Sequence, residues 1–215
     1  VVLTAQPTEN ENVVLSIASG DTGETVVNGS TASNNTLTFT SENWNTPQSF
    51  TVTGVDDNLV DGTITSTLTV AVVDALSDDT FDAVDDQTVS ATTTDDDTAG
   101  FTIVESGGST SVSEDGATDT FTIVLDAQPT SDVVITITSS DTGEATVNSP
   151  LTFTPANWDT PQTVTMTGVD DNIIDGTITS TITIAVDDGN SDNNFDSVDD
   201  QTVSVTTTDD DTAGF

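Results

Sequence analysis

The sequence predicts an all-β chain, two tandem antiparallel β-sandwiches of about seven short strands each, with no helical run. Three observations carry that expectation. Apolar residues alternate with threonine, serine and other polar residues over short runs from end to end, the period-two signature of half-buried strands. Each run is bounded by Asp, Gly, Asn or Pro, which favour turns. Finally, DDDTAGF at 95–101 returns letter for letter at 209–215, so the chain is organised as a repeat.

Along the second copy, Phe121, Ile123 and Leu125 mark one strand, and Val133, Ile135 and Ile137 the next. Leu151 with Phe153, Val164 with Met166, Ile182 with Ile184 and Val186, and Val203 with Val205 continue the series. Their alternate positions are rich in Thr and Ser, which suits antiparallel sheets with one wet face. Val89, Ala91 and Thr93 alternate up to the triplet Asp95–Asp97, and Phe101 and Ile103 resume after it. Three aspartates in a row do not fit a strand interior. Two unit charges about 4 Å apart repel by roughly 4 kcal/mol at an effective dielectric near 20. The triplet therefore reads as a hinge between two modules, one that stays solvated or takes up a cation.

Self-alignment extends the repeat to almost the whole chain. LTFT, NW, TPQ, TGVDDN, DGTITST, VDDQTVS and TTTDDDTAGF recur at a constant offset of 114 residues. The offset is 120 at DTGE and 122 at AQPT, so the first copy carries six extra residues near 28–36 and two near 9–12. Insertions of this kind mark loops. Val1 matches Ile123, and the first copy has no counterpart of residues 101–122. The expected organisation is a repeat lacking its first strands at 1–97, a complete repeat at 98–211 and the start of a third at 212–215. That arrangement, with no initiator methionine or signal peptide, reads as a mature or excised window from a longer tandem array.

Composition excludes several classes of function. The 215 residues include no Lys, Arg, His, Cys or Tyr, and 38 acids give a formal net charge of -38. Without cationic side chains nothing neutralises phosphate, which argues against nucleic acid and anionic lipid as partners. Without His, Cys, Lys or Tyr the usual general bases and activated nucleophiles are missing, so no enzyme is expected. No stretch has the length of a transmembrane helix, and membrane insertion is not expected. Charge repulsion has to be offset by ions from solution, which points to a salty, calcium-rich exterior.

The acids gather at the predicted loops. The groups are Asp21 and Glu24 (Asp141 and Glu144), then Asp56, Asp57 and Asp61 (Asp170, Asp171 and Asp175), then Asp82, Asp85 and Asp86 (Asp196, Asp199 and Asp200), and last Asp95, Asp96 and Asp97 (Asp209, Asp210 and Asp211). The second copy adds Glu105, Glu114 and Asp115. Thirty-one of the 38 acids are aspartate. Short carboxylates in turns beside strand ends suit calcium, which takes six to eight oxygens in irregular loops, whereas a merely solvated face would use Glu as freely. Trp44 and Trp158, each before a Pro turn, read as packing residues rather than sugar platforms. The Thr-x-Thr spacings follow from strand propensity and not from an ice-binding ladder. Asn28 and Asn34 lie in glycosylation sequons.

VSEDG at 112–116, DTGEATV at 141–147, LTFTPANWDTPQTVTMTGVDDNIIDG at 151–176 and the closing TTDDDTAGF resemble the Calx-β repeat of large bacterial surface proteins and of the sodium/calcium exchanger. The resemblance implies a seven-stranded immunoglobulin-like sandwich with calcium at one end. Carried over, the ligands of the complete copy would be Glu114, Asp170, Asp171, Asp175, Asp209, Asp210 and Asp211, with a further acid at Asp141 or Glu144. In the first copy they would be Asp56, Asp57, Asp61, Asp95, Asp96 and Asp97, with Asp21 or Glu24. Where the family carries a further acid in its paired-aspartate loop, this chain has Gly176, Thr177 and Ile178, so one or two ions per module are expected.

The expected function is a calcium-binding structural repeat of an extracellular or secreted fibre, stalk or adhesin at the cell surface. Ca2+ would rigidify the junctions between domains. Its partners would be neighbouring repeats of the same protein, through lateral or head-to-tail association. The alternative is a module that recognises a glycan or protein through the Trp-bearing or insertion loops. A calcium-sensing regulator, which needs an attached effector, ranks third. A glycosidase built on an Asp pair ranks last, because these acids cluster instead of flanking a cleft.

Overall fold

The structure is a computed structural model that describes residues 1–28 and 35–215. The described residues contain strands and a few single-turn 3-10 segments but no α-helix. The chain folds as two compact units, Val1–Asp57 with Gly62–Asp95, and Asn58–Asp61 with Asp96–Phe215. The six-residue insertion near 28–36 and the sequon at Asn34 fall on or beside residues 29–34, outside the described residues.

The first unit comprises β1 (Asn12–Ser19), β2 (Thr25–Val27), β3 (Asn35–Thr40), β4 (Val52–Gly54), β5 (Ile64–Val72) and β6 (Gln87–Thr93). One sheet runs β3-β1-β5-β6 and the other is the pair β2-β4, with antiparallel neighbours throughout. Alternation in NVVLSIAS sends Val13, Leu15 and Ile17 inward, where they form a core with Val27, Phe39, Leu68 and Val70. The two-residue insertion is a turn, as expected. The Glu11 amide donates to the Thr8 carbonyl at 3.0 Å, and Asn10 takes a φ of 70°.

The second unit comprises β7 (Phe101–Glu105), β8 (Thr110–Ser113), β9 (Thr118–Leu125), β10 (Val133–Ser139), β11 (Ala145–Val147), β12 (Leu151–Phe153), β13 (Gln162–Gly168), β14 (Ile178–Val186) and β15 (Gln201–Thr208). A five-stranded sheet β12-β10-β14-β15-β8 faces a four-stranded sheet β11-β13-β9-β7. The core between them includes Phe121, Ile135, Phe153, Met166, Ile184 and Phe195, all fully buried. This is the predicted all-β sandwich, with one refinement. The structure has nine strands where about seven were expected, because two stretches break and change sheets, adding β8 and β11, which the alternating runs had not marked. The first breaks at Ser106–Gly108, where Gly107 and Gly108 have φ of 66° and 80°, a region that costs glycine little. The other breaks between β11 and β12 at Pro150, which has no amide to donate to a ladder.

The broken first strand positions the site. β7 pairs antiparallel with β9, whereas β8 crosses to the other sheet and pairs parallel with the end of β15, with Thr208 opposite Ser113. The Glu114 amide then donates to the Thr208 carbonyl at 3.1 Å. Its backbone is thereby anchored one residue before the closing aspartates. The turn is tight against β13. A Cβ built on Gly168 would overlap the Ser113 carbonyl, so only glycine lets the two backbones approach.

Candidate metal centre

Five carboxylates of the second unit converge from four segments. Glu114 follows β8, Glu144 precedes β11, Asp175 lies in the loop before β14, and Asp209 and Asp211 follow β15. Oxygens of Glu114, Asp209 and Asp211 lie within 4.8 Å of one another, and so do those of Glu114, Glu144 and Asp175. Glu114 belongs to both groups. It is also the most enclosed, 1% exposed, with Glu144 at 7%.

The backbone around each acid is held locally. The Glu144 carbonyl accepts the Val169 amide at 2.9 Å and the Thr207 hydroxyl at 3.4 Å. Asp209 accepts the Gly176 amide at 2.8 Å and the Asp211 amide at 2.7 Å. Gly176 presents that amide from a φ of 78°. Asp171 accepts the Ile173 amide at 2.6 Å and shapes the same loop. The V-D-D-N-x-x-D-G spacing thus builds a loop whose own amides aim at the closing aspartates.

What the carboxylates do not have is a counter-charge. Glu114 Oε2, Glu144 Oε2 and Asp211 Oδ2 are buried and make no hydrogen bond. Buried polar groups in folded proteins are nearly always partnered. Burial, followed by the charges of Asp209, Asp171, Asp175 and Glu144, pushes the Glu114 carboxyl up to about 7. Burial and the nearby Asp175, Asp141, Asp171 and Asp209 raise Glu144 as well. Burial, then Asp209, Asp210, Asp170 and Asp171, raises Asp211. Asp209 goes the other way, held down by the amides of Gly176, Asp211 and Asp175. No side chain in this sequence carries a positive charge. An all-oxygen donor set without His or Cys suits a hard divalent cation such as calcium and argues against zinc or copper.

The remaining sequence-predicted acids are placed as follows. Asp171 is half-buried beside the five, and Asp170 and Asp210 are exposed and act on Asp211 through their charges. Of the alternatives Asp141 and Glu144, it is Glu144 that joins the group. Asp141 is exposed and accepts the Gly143 amide in its own turn. In the first unit, Asp95 accepts the Gly62 amide at 2.8 Å and the Glu24 carbonyl accepts the Val55 amide and the Thr93 hydroxyl, the same bonds as in the second copy. Asp21 caps its own turn through the Gly23 amide. Asp56 and Asp57 are exposed, and Asp61, Asp96 and Asp97 fall in segments that group with the second unit. Among the described residues, no group of three acids in the first unit comes within ligand distance.

Two features escaped the sequence reading. One is Gly168, whose missing side chain admits the Glu114 turn. The other is a pair of buried structural aspartates, Asp78 and Asp192. Asp192 accepts the amides of Thr130, Ser131 and Asn194 and the Thr130 hydroxyl, and Asp78 accepts the Thr8 and Thr80 amides. The repeated S-D-x-x-F at 77–81 and 191–195 was the available signal. Trp158 packs against the core, half-buried, which favours its structural role.

No protein-family model matches the chain, and no curated protein matches it. Among solved structures, the chain is similar to domains 1–6 of the surface-layer protein SbsC, at 18% identity and a TM-score of 0.40. That alignment covers 94% of this chain and 20% of the other, so the chain spans about a fifth of the SbsC structure's length. It is also similar to the apo-form Calx CBD1 domain, at 16% identity and a TM-score of 0.37, covering 52% of this chain and 98% of that domain. The CBD12 structure of CALX1.2 aligns at 8% identity and a TM-score of 0.33, covering 86% of this chain and 71% of that one. Strand pairing and the buried core, independent of these likenesses, make the chain an all-β sandwich protein.

Proposed function

We propose that the second unit binds calcium through Glu114, Glu144, Asp175, Asp209 and Asp211, and that the chain is a calcium-stabilised structural repeat of an extracellular or cell-surface protein. One observation carries this reading. Glu114, Glu144 and Asp211 each have a buried oxygen without a partner, and Glu114 groups at ligand distance with each of the other two, in a chain that has no cationic side chain to place there. A buried carboxylate without a partner is strongly destabilising, so the arrangement makes physical sense as one half of an ion site. The chemistry is coordination and not catalysis. The Calx-β-like motifs support the same reading, as does a charge that is tolerable only where external cations are abundant. By the same reading, calcium held beside the closing aspartates of a repeat would stiffen the succession of repeats. A stalk, fibre or adhesin shaft would use that stiffness.

Isothermal titration of calcium into the chain tests this. Binding with a dissociation constant of about a millimolar or below is expected, the range of extracellular calcium modules. Glu114→Gln, which keeps shape and removes charge, should weaken it about tenfold or more. Unchanged binding in Glu114→Gln would exclude this site.

A further inference from the structure

The segment that carries Glu114 has a pivot at each end. It leaves β7 through Ser106–Gly108 and enters β9 at Thr118, and along it Gly107, Gly108 and Gly116 take φ of 66°, 80° and 84°. A Cβ added to any of these three glycines would meet nothing within 4 Å. Glycine visits such angles at little cost, so the backbone can turn at both places. Between them lies β8, four residues long and paired in parallel with residues 205–208 of β15. Parallel pairing is slightly the weaker kind per residue. Val112, 3% exposed, is the one apolar side chain of this strand and anchors it in the core.

Two sets of forces act on this segment in opposite directions. Docking is favoured by burial of Val112, by the β15 ladder, by the Glu114 amide on the Thr208 carbonyl at 3.1 Å and by the Ser111 amide on Asp119 at 2.8 Å. Against it stands Glu114 Oε2, buried without a hydrogen bond, in a carboxylate that meets those of Glu144, Asp175, Asp209 and Asp211 at ligand distance. Like charges that close repel, and no side chain in the sequence is positive to offset them. Swinging the segment outward returns Glu114 to water. The rest of the sandwich keeps its pairing, because β9 with β13, β10 with β14 and β14 with β15 are joined without β8.

We infer that residues 107–116 form a metal-latched strap, docked on β15 when an ion sits between Glu114 and its neighbours and swung away when none does, with Val112 as the positioning residue that sets how far it docks unaided. The latch rests on the calcium reading, whereas the pivots and the docking contacts do not. Ion affinity then depends on side chains that never touch the ion. A binding state that is only partly populated weakens the apparent affinity by that fraction. The fit at Gly168 works in the same way. A methyl there would overlap the Ser113 carbonyl of the docked strap, whereas at the counterpart Gly54 it would meet a Thr93 methyl at 3.4 Å, an ordinary contact.

The test is amide hydrogen exchange of the full chain, read by NMR in chelator and in calcium, with calorimetric titration of calcium on the same samples. In chelator the amides of residues 111–114 should exchange about tenfold or more faster than those of β9 and β13, through an opening of the strap alone. Low urea should leave their rate unchanged while it speeds β9 and β13, because little surface is exposed when only the strap moves. Calcium should slow them about tenfold or more, and so should Glu114→Gln in chelator, which removes the repulsion without supplying an ion. Val112→Ala and Gly168→Ala should each weaken calcium binding about tenfold with the circular dichroism unchanged, Val112→Ile should restore it, and Gly54→Ala should have no effect. Strap amides that follow urea as steeply as β9 and β13 would overturn the inference, since the segment would then open only with the whole unit. Indifference of those amides to both calcium and Glu114→Gln would overturn it too, as simple fraying of a short strand. Calcium binding unchanged by both Val112→Ala and Gly168→Ala would remove the strap and leave the calcium reading standing. Absence of calcium binding by the parent chain would overturn the calcium reading, and the latch with it.

Discussion

At Glu114, burial and four neighbouring carboxylates act in the same direction, so the folded chain without metal holds its proton up to about pH 7, against an ordinary value of 4.5. The sign follows from linkage. A group whose pKa is raised by folding contributes its stability fully below the unfolded value and loses it as pH rises through the folded one. Glu144 and Asp211 shift the same way. In chelator, the melting temperature should therefore fall between pH 5 and pH 8, as followed by scanning calorimetry. Glu114→Gln should remove much of that fall and melt higher than the parent at pH 8. A flat profile in the parent would mean that Glu114 is not enclosed among like charges. With saturating calcium the order reverses. The parent becomes the more stable, because it holds the ion more tightly.

Between the strands, close backbone approaches and buried carboxylates decide what a substitution does. Gly168→Ala and Gly54→Ala are the same change at equivalent positions, yet they should differ. The first forces a methyl into the Ser113 backbone and should cost about 1–3 kcal/mol, the range for overpacking. The second should be near neutral in the free chain, and urea unfolding of the two variants checks both. Asp192, 4% exposed, closes the Thr130–Ser131 turn onto the 3-10 segment at 193–195. Asp192→Ala strands three amides and should cost about 2–4 kcal/mol by the same measurement. Much at this scale was legible in the sequence. Alternation placed the strands of the second copy, because one wet face and one dry face impose a period of two. The division of the first strand between sheets was not legible, because a Ser-Gly-Gly turn reads the same whether the chain folds back or crosses over. The choice between Asp141 and Glu144 was also closed to the sequence. Both sit in one short turn, and only burial separates the exposed cap from the enclosed candidate. Asp78 and Asp192 look like any other acids among 38, since nothing in their spacing shows that neighbouring amides point at them.

Over the whole chain, a charge of -38 with no positive side chain makes stability depend on the ions around it. Any salt screens the long-range repulsion, with a Debye length of about 8 Å at physiological ionic strength. Screening does not reach the buried oxygens, which the proposed ion would satisfy. If bound calcium also stiffens the passage between repeats, small-angle scattering of the chain should show a narrower spread of maximum dimensions in calcium than in chelator. Equal spreads would remove the stiffening role while leaving the binding site standing. The most direct test of the site itself is thermal unfolding against calcium, magnesium and sodium at matched ionic strength. Calcium at about a hundred times its dissociation constant stabilises a folded state by about 2.7 kcal/mol, which for a module of this size is a rise in melting temperature of about 10 °C. The prediction is that rise in calcium, a clearly smaller one in magnesium and sodium, and its reduction to about half or less in Glu114→Gln. Equal responses to all three ions would mean that the acids are a screened surface and that the buried carboxylates hold no specific metal.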